Sequence, residues 1–173
     1  MKSLYLILNI FVLFGCSSPP TEPLPRAHDV DIDRFMGDWY VIANIPTFIE
    51  KNAYNALESY SMNSDGSIAT TFSFNKDGFN GKRIIYSPTG YVNPDDNSLW
   101  GMQFIWPVKA EYIIAYLSPD YQHTIIARRA RDYVWIMSRT PSIEPDTYKN
   151  LISLCADMGY DTNLIKKVPH QWP

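Results

Sequence analysis

Between Gly37 and Arg139 the chain is a succession of short β-rich runs separated by turn residues, with no long stretch of helical period. A short tryptophan motif stands at each end of that succession, Phe35-Met36-Gly37-Asp38-Trp39-Tyr40 and Trp135-Ile136-Met137-Ser138-Arg139. The pattern predicts strands at 38–46, 55–62, 67–75, 83–93, 98–106, 111–118, 123–130 and 133–139. The segments Asn63-Ser64-Asp65-Gly66, Asn75-Lys76-Asp77-Gly78, Asn93-Pro94-Asp95-Asp96-Asn97 and Ser118-Pro119-Asp120 accept tight or left-handed backbone, so neighbouring strands are antiparallel. Eight strands joined this way suit an all-β fold, an up-and-down antiparallel barrel.

A glycine that opens an apolar strand lets the backbone turn tightly, and an indole two residues on can plug the adjacent end of a barrel. An arginine ending the last strand can cover that plug, its guanidinium stacked on the indole for ~0.5–2 kcal/mol with donors left for loop carbonyls. Gly37, Trp39 and Arg139 have this arrangement. The constellation resembles the lipocalin family, and Asp120 and Tyr121 of Ser118-Pro119-Asp120-Tyr121 fall where lipocalins carry a Thr-Asp-Tyr-like loop between their sixth and seventh strands. Pro119 departs from the usual residue there. The resemblance covers residues of about 30 to 170. Within the family it is most similar to bacterial lipocalins anchored in the outer membrane, through Gly37-Asp38-Trp39-Tyr40-Val41-Ile42-Ala43 and Asp132-Tyr133-Val134-Trp135-Ile136-Met137-Ser138-Arg139-Thr140-Pro141. It implies an eight-stranded barrel around a ligand cavity, with one helix packed outside.

After Pro141 the period changes. Glu144-Pro145-Asp146 opens a run in which Tyr148, Leu151, Ile152, Cys155 and Met158 recur at helical spacing, which predicts a helix over about 144–158 ending at Gly159. Thr162 to Lys166 could add a short strand, and Pro169 to Pro173 should be loose.

Residues 1–15 read as a signal peptide, with Lys2 as the positive start and an apolar run from Leu4 to Phe14 that is too short to span a membrane. Leu13-Phe14-Gly15-Cys16 fits a lipoprotein signal in which Cys16 is lipidated. Acyl chains contribute ~0.8 kcal/mol per buried CH₂, so several together anchor the protein to a membrane. Ser17 rather than Asp after the cysteine favours the outer membrane, facing the periplasm. Residues 16–30 then form the lipidated cysteine and a Pro/Ser-rich flexible tether, and 31–173 the barrel domain. Cys155 is the other cysteine, so no intramolecular disulfide is expected. The chain has 15 Lys and Arg against 18 Asp and Glu. A mildly acidic protein is a poor nucleic-acid binder. Oligomeric state is left open, a homodimer included.

Strand side chains alternate between faces, so an inward Trp39 puts Val41 and Ala43 on the lumen wall. The same parity from Arg139 turns Met137, Trp135 and Tyr133 inward. The family resemblance implies Ala56, Glu58, Tyr60, Thr70, Phe72, Met102, Phe104, Tyr112, Ile114, Tyr116, Ile125 and Ala127 for the rest of the wall. The result is an apolar cavity with small residues at Ala43, Ala56 and Ala127, where tryptophan at Ala43 or Ala127 should block binding. Glu58 is the exception, because a carboxylate in such a wall protonates or finds a partner. Arg128, Arg129 and Arg131, with Lys51, Lys76, Lys82 and Lys109 in neighbouring loops, would give the open end a basic rim suited to an anionic head group.

His28, His123 and His170 are scattered, so neither a catalytic triad nor a three-ligand zinc site is supported, and no Gly-rich phosphate loop or cofactor motif is present. The reading is a non-enzymatic, membrane-anchored protein that binds and stores or transports fatty acids, lysophospholipids or similar amphiphiles, in membrane maintenance or envelope stress. Two alternatives differ in class. One is an envelope interaction protein with a filled barrel and an exposed Trp100; the other is a lipid-modifying enzyme using Glu58 with Tyr60 or Tyr112.

Overall fold

The computed structural model describes residues 23–172. The expected signal peptide, the lipidated Cys16 and the start of the tether lie outside the described residues. A one-turn helix α1 (Ile32–Phe35) leads into β1 (Gly37–Ile45), and the strands β2 (Ala53–Met62), β3 (Ile68–Lys76), β4 (Arg83–Tyr86), β5 (Thr89–Asn93), β6 (Asp96–Ile105), β7 (Val108–Leu117), β8 (His123–Ala127) and β9 (Val134–Ser138) follow. Consecutive strands other than β4 and β5 pair antiparallel, and β1 pairs with both β2 and β9, so the sheet closes on itself. The run expected as one strand over 83–93 is split into β4 and β5, which share β3 as partner. Pro88 lies in the break, where its missing N–H interrupts the ladder. Counted as one, they make this the eight-stranded barrel.

The alternation of the strands divides the apolar residues into two cores. One fills the lumen around Phe35, Trp39, Val41, Tyr60, Ile68, Phe74, Trp100, Ile114 and Met137. The other lies outside, where α2 (Pro145–Asp157) packs Leu151 and Cys155 against Ile113, Ile125, Val134 and Ile136. Pro145 at the first helical turn and Gly159 at φ +85 just past Met158 start and stop the helix. Burial pushes the Cys155 thiol up to about 12, leaving it an inert packing residue.

Residues 23–30 and 162–172 are more ordered than their composition suggests. The tether reading extends to residue 30, yet Leu24 and Val30 are buried and the Ala27 N–H donates to the Ile114 carbonyl at 2.8 Å. Thr162–Leu164 is a 3₁₀ turn, followed by a two-residue strand β10 (Lys166–Lys167) on β1. The tail expected to be loose is stapled down. A bulge in β2 between Tyr54 and Leu57 turns Asn55 toward it, and Asn55 exchanges hydrogen bonds with Gln171 at 2.7 and 2.9 Å. His170 Nε2 lies 2.8 Å from the Val41 carbonyl oxygen, and Trp172 meets Tyr40 edge-on.

Candidate functional site

The two ends of the barrel are built differently. At one end Gly37 has φ +90, a left-handed conformation that the turn from α1 into β1 requires. The Arg139 guanidinium lies 3.8 Å from the Trp39 ring centroid. It donates from Nη1 to the Asp38 carbonyl at 2.8 Å, and from Nη2 to the Arg34 and Phe35 carbonyls at 2.8 and 3.1 Å. Trp39 Nε1 donates to the Phe35 carbonyl at 2.9 Å. Tyr121, at φ +61, accepts from the Asp31 N–H at 2.9 Å and stacks under Arg34. Asp120 accepts from Ser118 Oγ and the Gln122 N–H, which hold its carboxyl below the usual range. This end is closed.

The other end opens into a cavity of about 450 Å³, within the usual size for a small-molecule site. Among the residues expected on its wall, Glu58, Thr70, Phe72, Met102, Phe104, Tyr112, Tyr133 and Trp135 line it. Val41, Ala56, Tyr60 and Ile114 face the lumen too, but pack in the layer between cavity and plug. At the inner end, Tyr60 Oη donates to the Glu58 carboxyl and lies 2.8 Å from Tyr112 Oη. Burial, reinforced by the negative charge of Glu50, pushes Glu58 up to about 8, so it is a neutral acid at pH 7. Burial also raises Tyr112.

Near the mouth, Glu50 accepts from Asn44 Nδ2, Thr47 N, Thr47 Oγ1 and Trp135 Nε1 at 3.2, 2.9, 2.6 and 2.7 Å. This buried carboxylate braces the loop after β1 against β9. Of the expected basic rim, Arg128 lines the cavity and pairs with Asp132 at 3.0 Å. Arg129 sits outside it, bridged to Glu111, and Arg131 Nε donates to the Met158 carbonyl at the end of α2. Lys51, Lys76, Lys82 and Lys109 are exposed and none lines the cavity. The rim is apolar instead: Phe48 and Trp106 are 81 % and 83 % exposed, with Ile105 and Val108 beside Trp106. Among the described residues, no three His, Cys, Asp or Glu side chains gather as metal ligands.

The family model described as a lipocalin-like domain matches residues 30–170. The chain belongs to the lipocalin family. Temperature-induced lipocalin-1 of Arabidopsis thaliana is 35% identical over 150 residues, covering 81% of this chain and 79% of that one. Outer membrane lipoprotein Blc of Escherichia coli K12 is 26% identical, covering 88% of this chain and 87% of its own length. Among solved structures, insecticyanin from Manduca sexta superposes with a TM-score of 0.69 at 16% identity, covering 87% of this chain and 86% of that one. That likeness concerns the fold alone.

Four residues expected on this lipocalin's cavity wall lie on its outer face instead. In β1 a bulge between Val41 and Ala43 reverses the alternation, so Ala43 joins the core under α2 and Asn44 turns toward Glu50. A second bulge, between Ile114 and Tyr116 in β7, sends Tyr116 outward. The pairing of β8 with β9 sets Ile125 opposite Ile136 and Ala127 opposite Val134, all against the helix side. Tryptophan at Ala43 or Ala127 would therefore wedge the helix, not block the cavity. Trp100, expected exposed in one alternative, is buried and stacked on Tyr112 at 5.2 Å. Thr47, Phe48, Glu50, Tyr86, Pro88 and Ala110 line the cavity without having been singled out, because loop residues and strand ends carry no periodic signal.

Proposed function

We propose that this protein is a membrane-anchored lipocalin that takes up amphiphilic lipids, fatty acids or lysophospholipids, and stores or moves them at the outer membrane. The cavity carries this reading. It is open at one end, lined mostly by aromatic and aliphatic side chains, and ringed by exposed Phe48, Ile105, Trp106 and Val108, an apolar mouth suited to receiving a chain from a lipid phase. Each CH₂ drawn into it contributes ~0.8 kcal/mol, so a long tail reaches micromolar affinity. Arg128 at the mouth suits an anionic head group. The anchor is the diacylated Cys16 and the location the outer membrane, facing the periplasm, in line with relatives named outer membrane lipoprotein. The role is binding, with Glu58 a neutral wall residue and no catalyst. A barrel filled by its own aromatics does not fit a cavity of this volume.

The test is native mass spectrometry of the protein from residue 17 onward, which keeps every described residue, purified without detergent and followed by lipid extraction. A discrete added mass identified as a fatty acid or lysophospholipid is the expected result. An apo mass that stays unshifted after incubation with both lipid classes would overturn the reading.

A further inference from the structure

Buried polar atoms in folded proteins are almost always hydrogen-bonded, so each exception asks for a reason. The described residues hold two such side-chain exceptions, Thr70 Oγ1 and Arg128 Nε, and both residues line the open-end cavity. They sit at its opposite ends. Arg128 directly follows the last residue of β8, at the mouth, whereas Thr70 lies six residues inside the mouth end of β3, roughly 20 Å along the strand.

Thr70 is 3 % exposed and stands directly opposite Tyr60 on β2, beside the linked Glu58, Tyr60 and Tyr112. In that group the Glu58–Tyr60 bond uses Oε2, and the other carboxyl oxygen has no hydrogen bond among the described residues. The inner end of the cavity therefore presents a hydroxyl, a carboxyl held neutral by burial and a phenol, all uncharged and all able to donate or accept. A plain hydrocarbon terminus leaves Thr70 Oγ1 and the second Glu58 oxygen without partners. An anion is disfavoured there, because no cation lines that end and Glu58 can itself ionise. The cation of the lining is Arg128; Glu50 is saturated by its four donors and Glu111 by Arg129.

We propose that the cavity is built for an acyl chain oxygenated at its buried end, an ω- or near-ω-hydroxylated fatty acid, with the hydroxyl among Thr70, Glu58 and Tyr112 and the carboxylate at Arg128. The inference rests on the amphiphile reading and narrows it to a ligand class. A hydroxyl both donates and accepts, so one such group satisfies Thr70 Oγ1 and the free Glu58 oxygen together. Preference for it over a methyl terminus follows from the buried partners that the methyl would leave unpaired.

The experiment titrates ω-hydroxyhexadecanoate and hexadecanoate separately into the protein from residue 17 onward, into Thr70→Val and into Arg128→Gln. The unaltered protein should bind the hydroxy acid about tenfold more tightly. Thr70→Val should bring the two affinities to within about twofold of each other, and Arg128→Gln should weaken both ligands alike. Equal affinity of the unaltered protein for the two acids, or a preference untouched in Thr70→Val, would overturn the inference while the amphiphile reading stands. Failure of both acids to bind would overturn this inference, and failure of a lysophospholipid to bind as well would overturn the amphiphile reading.

Discussion

The closed and open ends of this barrel use similar residues to opposite effect. At the closed end Phe35, Trp39, Tyr60 and Trp100 interlock, with Phe35 ring centroids 5.0, 5.7 and 5.5 Å from those of the other three, and Arg139 seals them. At the open end Phe48 and Trp106 face solvent, and Tyr133, Trp135 and Phe104 border a space they leave unfilled. The first arrangement fixes the fold and the second leaves room for a ligand. Aromatic content alone therefore says nothing about function; what matters is whether a ring has neighbours on all sides.

If the closed end carries the stability, Trp39→Ala should cost about 3–5 kcal/mol and shift the urea midpoint accordingly. A loss below ~1 kcal/mol would mean that the closed end does not carry the stability. The next effect separates the two ends by pH. Glu58 titrates at about 8 in the folded protein but near its ordinary value when unfolded, so the folded state binds the extra proton between those limits. Stability should fall as pH rises through that window and level off above about 8. Glu58→Gln should remove this downward contribution to the slope and gain roughly 3 kcal/mol at pH 9, with some hydration of the anion from the cavity already discounted. Arg139→Ala removes four hydrogen bonds to carbonyls and the stacking on Trp39, for a loss of about 2 kcal/mol, and Arg139→Lys should recover less than half because an ammonium cannot reproduce the planar fork. The smallest change in stability belongs to the open rim. The double change Phe48→Ser and Trp106→Ser should leave unfolding free energy within about 0.5 kcal/mol while slowing uptake of fatty acid from vesicles several-fold, as read by a stopped-flow transfer assay.

The same contrast explains what could be read from sequence. Gly37, Trp39 and Arg139 act through local geometry at fixed spacing, so their roles were legible, as were the helix over 145–157 and most strand positions. The wall implied by the family resemblance matches the cavity lining at Glu58, Thr70 and Phe72 on β2 and β3, where alternation runs unbroken. It failed at Ala43 and Tyr116, where a bulge adds a residue to one strand, and at Ile125 and Ala127, where the pairing register decides the face. Neither a bulge nor a register leaves a mark in residue type here. The docked tail was missed for a related reason: its anchor, Asn55, is turned toward it by the β2 bulge.

In the proposed function the open-end cavity, and not the outer face beneath the helix, receives the ligand. The most direct test is calorimetric titration of hexadecanoate into the unaltered protein, Ala110→Trp and Ala127→Trp. Ala110 lines the cavity and Ala127 packs under α2. The unaltered protein and folded Ala127→Trp should each bind one equivalent, and folded Ala110→Trp none. Retained binding in Ala110→Trp, or loss confined to a folded Ala127→Trp, would contradict it.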